Sequence, residues 1–207
     1  MKSIFLGIFL LLSTSAYAAN SDQAESKYVI NGAVTKAVVE DLEKKLESNP
    51  SIKSIEFIQS FGAFEDEVEV TRKMFRLIDQ YKLNTLASGN CAFACATIFL
   101  YGYTRTMEIN LKGRSTRLIL RPIMSKDNEF LKEPTEEFFK KILLRSDNKI
   151  PVDILLRLYQ VQDELGAVHI HSKAIGLNKY IQLQSIADGK FENISELSPV
   201  DLGIVVE

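Results

Sequence analysis

The sequence predicts one α/β domain in which parallel strands alternate with helices. Apolar, β-branched runs typical of strands alternate with amphipathic helical segments along most of the chain. The chain has 207 residues, of which 46% are hydrophobic and 25% are charged, a composition typical of one globular domain. Because no repeat or long linker interrupts this pattern, we expect a single domain at residues 28–207 after a linker at 19–27.

The first half of this domain is predicted to contain three strand–helix pairs. The predicted strands are rich in β-branched and other apolar residues, and they cover Lys27–Ile30, Ile52–Gln59 and Asn84–Ala87. The predicted helices carry apolar faces or small apolar residues, and they cover Thr35–Glu47, Glu65–Tyr81 and Cys91–Tyr101. Asn31–Gly32 is predicted to be a turn. Strands connected through helices are expected to pair in parallel.

The second half is predicted to add a helical extension. Two more strands are predicted, at Arg105–Asn110 and Thr116–Ile123. Proline and acidic residues mark the starts of two helices, one opening at Pro134–Glu137 and one covering Val152–Leu165. The tail is predicted to hold a short helix at Ser195–Asp201 and a terminal strand at Ile204–Val206.

Residues 1–18 are predicted to be a cleavable signal peptide. Lys2 precedes an apolar run from Ile4 to Leu12, and small residues at Ala16 and Ala18 match a signal-peptidase site. The run is shorter than the roughly 20 residues that a membrane-spanning helix needs. We therefore expect a chain that is exported to a periplasm or secreted and that does not span the membrane.

Charge and histidine content limit the function classes. The formal net charge of −2 argues against nucleic-acid binding driven by bulk charge. The basic segment with Arg117 and Arg121 is expected to be a solvated strand face, with contact to an acidic partner or a lipid headgroup as the alternative. His169 and His171 would share one side of a strand, but no third ligand is evident for zinc. We expect no metal and no cofactor.

Three separated segments suggest a site at the edge of the sheet. They are Phe57–Phe64, Ala87–Ala96 and Ile194–Val205, and the first two each end a strand in a small-residue turn before a helix. The helix N-termini would offer free backbone N–H groups to an approaching carbonyl oxygen. Gly62, Ala63 and Ala94 are the candidates for such an oxyanion-type pocket.

These segments resemble the ClpP/crotonase superfamily, in particular its exported Clp-protease-like members. Those relatives usually read Ser-Pro-Gly-Gly at the first turn and Cys-x-Ser-Ala-Cys at the second, and their C-terminal segment is similar to Glu196–Glu207. The resemblance covers about residues 28–207. It implies stacked β-α-β units, a serine-type peptidase ancestry and an oligomeric assembly, so a homo-oligomer is one expectation for this chain.

Two positions depart from the pattern on which peptidase activity depends. Phe93 stands at the position that the family gives to its nucleophilic serine. The stretch from Arg117 to Met124, where the family carries its catalytic histidine, contains no histidine. Both groups that handle the proton and attack the carbonyl are therefore missing.

The remaining residues of this region leave alternatives open. Ser60, Phe61, Phe64 and Phe93 are expected to line the pocket, where the phenylalanines either fill a vestigial core or form an apolar groove for a ligand or peptide. Cys91 and Cys95 are close enough on a helix for a disulfide, and two reduced buried thiols are the alternative.

The sequence favours a catalytically inactive domain that binds a still unidentified protein or peptide. One alternative is an active periplasmic hydrolase with an unassigned nucleophile, for which a Cys–His pair would be one arrangement. The other alternative is an oligomeric structural protein.

Overall fold

A computed structural model describes residues 26–62, 66–109, 113, 115–127, 129–161, 166–184 and 189–206. The predicted signal peptide and nearly all of the predicted linker lie outside the described residues, as do Ala63 and Phe64 of the predicted pocket.

The described residues form eight strands and five α-helices. The strands are β1 (Ser26–Val34), β2 (Ile52–Gly62), β3 (Asn84–Ala92), β4 (Arg105–Glu108), β5 (Arg117–Leu120), β6 (Ala167–Ile175), β7 (Lys179–Gln184) and β8 (Phe191–Ser195). The helices are α1 (Lys36–Ser48), α2 (Glu67–Tyr81), α3 (Ala94–Phe99), α4 (Lys132–Arg145) and α5 (Val152–Leu156), and a 3-10 turn follows at Arg157–Gln160.

All eight strands belong to one sheet with the order β1-β2-β3-β5-β6-β7-β8. β1 to β3 pair in parallel, and β3 also pairs in parallel with β4 and then, further along its length, with β5. β6, β7 and β8 continue the sheet with antiparallel pairing. The predicted α/β class and the parallel first half are therefore confirmed.

Apolar packing in the core holds α1 and α2 against β2. Leu42 of α1 and Met74 of α2 are fully buried in one cluster with Ile55 and Phe57 of β2. The Thr35 hydroxyl caps α1 by accepting a hydrogen bond from the Val38 amide. Because a helix buries one apolar stripe in this way, the spacing of its apolar residues predicts the helix from the sequence.

Two predictions in the parallel half were wrong. Asn31–Gly32 does not form a turn, because β1 continues through it with a register shift between Asn31 and Ala33 and a φ of +90° at Gly32. Cys91 does not begin a helix, because it still pairs in β3 with Ser60 and Leu118. The helix begins three residues later, at Ala94.

The C-terminal predictions need larger corrections. The helix from Val152 ends at Leu156, and β7 and β8 were not predicted at all. The segment predicted as a short helix at Ser195–Asp201 ends β8 and then forms hydrogen-bonded turns, in which the Gly203 amide donates to the Val200 carbonyl. The predicted terminal strand is reduced to a bridge between Val206 and Arg105.

Arg105 explains why the tail lies where it does. Its side chain is 1% exposed and donates hydrogen bonds of 2.8–2.9 Å to the carbonyls of Gly102, Gly203 and Ile204. Burial and the charge of Arg145 lower the pKa of Arg105 to about 10. The third segment of the sequence motif is thus tied to β4 by one buried guanidinium.

Candidate functional site

The site lies where β2 and β3 end side by side. Phe61 of β2 pairs in register with Ala92 of β3, so α2 and α3 begin near each other at the same edge of the sheet. Gly62 comes so close to α3 that a Cβ atom placed on it would lie 2.8 Å from both N and Cβ of Ala94. Only glycine permits this approach, and it brings the first two motif segments together.

Phe93 occupies the sharp turn between β3 and α3. Its backbone has φ of 60° and ψ of −123°, and its amide donates a 2.8 Å hydrogen bond to the Ile119 carbonyl of β5. The guanidinium carbon of Arg121 lies 4.0 Å from the centre of the Phe93 ring. A cation and an aromatic ring in this contact stabilise each other, and neither can attack a carbonyl.

Glu67 at the start of α2 completes this group. Its side chain is 4% exposed, and burial raises the pKa of its carboxyl to about 7. The Arg121 charge and the backbone amides of Met124 and Ala94 lower this pKa, which places all three groups beside the carboxyl. The Oε1 atom of Glu67 has no hydrogen-bond partner in the described part of the chain.

The position of Glu67 changes what the turn can bind. The Ala94 amide follows Phe93 and is one of the donors that would stabilise an oxyanion. With a carboxyl group already beside that amide, a second negative charge would be repelled whenever Glu67 is ionised. The predicted oxyanion-type pocket is therefore shared by Gly62, Ala94 and a carboxyl that the sequence analysis did not single out.

A cavity of about 530 Å³ opens next to this group, between α2 and the segment from Met124 to Leu131. Val68, Met124 and Leu131 give it an apolar side. Its polar side is held by a network in which Arg72 donates to Glu137 Oε2 and Lys141 donates at 2.9 Å to Oε1 of the same carboxylate. The other charged residues that line it are Asp66, Glu67, Glu69, Arg76 and Lys126.

Cys91 and Cys95 are joined in a disulfide, with their sulfur atoms 2.06 Å apart. Both side chains are fully buried. The bond spans the turn that carries Phe93, from the last residues of β3 to the first turn of α3. Neither sulfur can act as a thiolate nucleophile while this bond is intact.

Two other predicted lining residues, Ser60 and Phe61, lie apart from the cavity. Ser60 is buried, and its hydroxyl donates a 2.8 Å hydrogen bond to the Ile30 carbonyl of β1. Phe61 is 43% exposed on β2 and does not line the cavity. Arg121, which the sequence analysis placed on a solvated face, is instead 4% exposed.

The two histidines lie on β6, in the strand next to β5. His171 is paired with Arg117 and His169 with Ile119. His169 Nε2 shares a 2.9 Å hydrogen bond with Gln184 Oε1. Among the described residues, no hydrogen bond joins either imidazole to a hydroxyl or a thiol, so they do not supply the base that the turn lacks.

Sequence reasoning missed Glu67 and Arg121, which are the two charged members of the site. Glu67 was not singled out within its predicted helix, and Arg121 was expected on a solvated strand face. The available signal was their position, because Glu67 begins the helix after the glycine turn and Arg121 lies within the stretch in which the resembling family carries histidine.

No protein-family model and no curated protein matches the chain. Among solved structures, ClpP1 from Listeria monocytogenes is similar with 17% identity and a TM-score of 0.46, over 86% of this chain and 88% of that chain. The ClpP catalytic domain from Plasmodium falciparum is similar with 13% identity and a TM-score of 0.47, over 70% and 76%. A membrane-bound stomatin-specific protease in complex with a substrate peptide has 12% identity and a TM-score of 0.47, over 83% and 87%. At these values the neighbours assign no activity to this chain.

Two features of the described residues bear on partners. None of their helices is long and apolar enough to cross a membrane. The described ranges also contain no group of three or more His, Cys, Asp or Glu side chains arranged to hold a metal ion.

Proposed function

We propose that this chain is an exported Clp-like domain that lacks peptidase chemistry and binds a peptide. The observation that carries the proposal is the contact group of Phe93, Arg121 and Glu67. These residues fill the turn at which the resembling family places its nucleophile, and they bring an arginine and a carboxyl rather than an acid–base pair for acyl transfer.

Peptide hydrolysis needs a nucleophile, a base and donors for the oxyanion. The phenyl ring of Phe93 has no nucleophilic atom, and the guanidinium of Arg121 stays protonated and cannot accept a proton. The Ala94 amide faces the Glu67 carboxyl. The cluster therefore contains no nucleophile paired with a base, and its oxyanion donor is next to a carboxyl.

The adjacent cavity supports binding. Its volume of about 530 Å³ is within the range of small-ligand sites, and its lining combines an apolar side with charged groups of both signs. A peptide segment with an apolar side chain next to a charged one matches this lining. Such recognition needs no catalytic residue.

The absence of a nucleophile is tested with activity-based probes. The purified mature chain is treated with a fluorophosphonate and, separately, with iodoacetamide without reductant. We expect no labelling by either probe, and we expect the Phe93→Ser variant to remain unlabelled because no base is supplied. Stoichiometric labelling that disappears on substitution of one residue would instead establish the active-hydrolase alternative.

The binding half is tested with a phage-displayed library of random heptapeptides. Selected peptides are synthesised and their affinity for the chain is measured by fluorescence polarisation. Val68→Trp narrows the cavity, whereas Leu177→Trp adds the same ring at a side chain that is 90% exposed. We expect at least a tenfold loss of affinity for Val68→Trp and no loss for Leu177→Trp. Equal affinities in the two variants, with both shown to be folded, would contradict binding in this cavity.

Export and assembly are tested on the chain expressed with its first 18 residues. We expect the purified periplasmic protein to begin at Ala19. Retention of residues 1–18 in a cytoplasmic fraction would contradict export. Size-exclusion chromatography with light scattering distinguishes the peptide-binding proposal from an oligomeric structural role, because a monomer at tens of micromolar would exclude the latter.

A further inference from the structure

A polar cluster lies on the antiparallel part of the sheet, apart from the cavity described above. Asn90 of β3 pairs in register with Arg117 of β5, and Arg117 pairs with His171 of β6. Arg117 Nε donates a 3.3 Å hydrogen bond to Asn90 Oδ1. His169 lies two residues before His171, and Gln184 of β7 is bonded to it. Residues directly opposite each other share a face, so these side chains converge on one surface of the sheet.

Both imidazoles are buried with an unpaired ring nitrogen. His169 is 4% and His171 is 5% exposed, and their rings are nearly parallel with centroids 6.3 Å apart. Because the Gln184 amide oxygen accepts from His169 Nε2, the neutral ring carries its proton there and its Nδ1 presents a bare lone pair. Neither His169 Nδ1 nor His171 Nε2 has a partner within the described ranges. Buried polar atoms without a partner are exceptional in folded proteins, and a bound ion is one explanation for them.

The charges around the cluster have one sign. Arg117 is half-buried, and no carboxylate among the described residues forms an ion pair with it. Burial and the Arg117 charge lower the pKa of each histidine to about 4, with His169 adding to the effect on His171. From the neighbouring strands, β7 contributes Gln182, which pairs in register with His169, the neutral Gln184 and, two residues before Gln182, the phenol of Tyr180. β8 contributes Phe191, whose ring contacts His169 edge-on. The potential at the two nitrogens is therefore positive.

We propose that Arg117, His169 and His171 form a binding site for an oxyanion, such as a carboxylate or a sulfate- or phosphate-type group. The guanidinium supplies the permanent positive charge. On binding, one proton is taken from solvent onto His169 Nδ1, which then donates to the anion while Nε2 continues to donate to Gln184. No covalent bond changes, and the anion and the proton bind together. This site is independent of the peptide cavity and of the proposed loss of catalysis.

Coupled proton uptake gives the site a characteristic pH dependence. Between the pKa of the empty histidine and the pKa of the occupied one, the affinity for the anion falls by about tenfold for each pH unit. A metal ion on the same bare nitrogens would show the opposite dependence, because it competes with protons. The direction of the pH effect therefore separates the two kinds of ligand.

The test uses the full chain with 15N-labelled histidine, observed by NMR at constant ionic strength between pH 5.5 and 7.5. The probes are sodium sulfate and sodium acetate, with sodium chloride as the ionic-strength control. We expect one or both oxyanions to shift the imidazole signals saturably, to raise the pKa of one histidine into this pH range and to bind more tightly at lower pH. Preference for sulfate or for acetate identifies a phosphate-like or a carboxylate ligand.

Variants connect the response to the cluster. Arg117→Gln is expected to weaken oxyanion binding at least tenfold, Arg117→Lys to retain most of it, and His169→Gln to remove its pH dependence. Lys53→Gln removes one exposed positive charge elsewhere and is expected to change nothing. The proposal is overturned if oxyanions act no differently from chloride, if folded Arg117→Gln binds as the wild type does, or if zinc binds instead with an affinity that rises with pH.

Discussion

Replacing Glu67 with glutamine should make the chain more resistant to unfolding at alkaline pH. The wild-type carboxyl has a pKa of about 7 in the folded protein against an ordinary value of 4.5, and burial is the main cause. The folded chain thus holds this proton more tightly than the unfolded chain does. Stability contributed by the protonated form is present below pH 4.5 and is lost as the pH rises through 7.

The size of this effect follows from the two pKa values. The gap between 4.5 and about 7 corresponds to about 3 kcal/mol, which the wild type loses between mildly acidic and alkaline conditions. Glutamine keeps the shape of the side chain but does not ionise. The difference in unfolding free energy between Glu67→Gln and the wild type should therefore grow by about 3 kcal/mol in favour of the variant.

Urea unfolding of the oxidised protein, followed by circular dichroism from pH 5.0 to 8.5, measures this difference. Glu69→Gln serves as the control, because Glu69 is an exposed carboxylate on the same helix. A difference in unfolding free energy between Glu67→Gln and the wild type that stays constant with pH would refute the reasoning. A difference that shrinks with rising pH would show that the attraction of the Arg121 charge outweighs burial.

Three further predictions concern the rest of the fold. Gly102→Ala should cost about 1–3 kcal/mol in urea unfolding, because the added Cβ would lie 2.1 Å from the Thr85 hydroxyl oxygen. Arg105→Met should cost about 3 kcal/mol or more in the same assay, because three carbonyls lose a buried donor. His169 and His171 have folded pKa values of about 4, below the ordinary 6.5, so stability is full above pH 6.5 and falls by about 3 kcal/mol for each imidazole as the pH drops through 4. Substituting both histidines by glutamine should reduce this loss of stability at acid pH. An unchanged loss would contradict the low pKa values of the two imidazoles.

The parallel half of the fold could be predicted because its signals are local. Leu42 and Leu46 repeat on one side of α1, and the structure buries both. Asn31–Gly32 misled because the same dipeptide that favours a hairpin turn also fits a bulge, and only the pairing of Ala33 with Phe61 decides between them. Sequence alone does not contain that pairing.

Most of the antiparallel half was missed, although His169 and His171 were expected to share one side of a strand. Val168–His171 alternate apolar and polar residues, which is typical of a strand with one solvated face, but the structure buries both faces. The burial of the imidazoles follows only from the pairing of β6 with β5 and β7. The polar cluster with Arg117 depends on the same pairing, which sequence alone does not contain.

The centre of the site shows why a serine at position 93 alone would not be expected to make the site hydrolytic. Phe93 could be identified from its position between two cysteines, but its partners could not, because charged residues in a sequence are expected at the surface. In the structure, Arg121 and Glu67 are buried against Phe93 and the Ala94 amide, respectively. A serine at position 93 would leave the guanidinium without its ring, would have no histidine beside it and would still have a carboxyl next to its oxyanion donor. The turn is therefore organised around the contact of Arg121 with Phe93 and the buried carboxyl at the Ala94 amide.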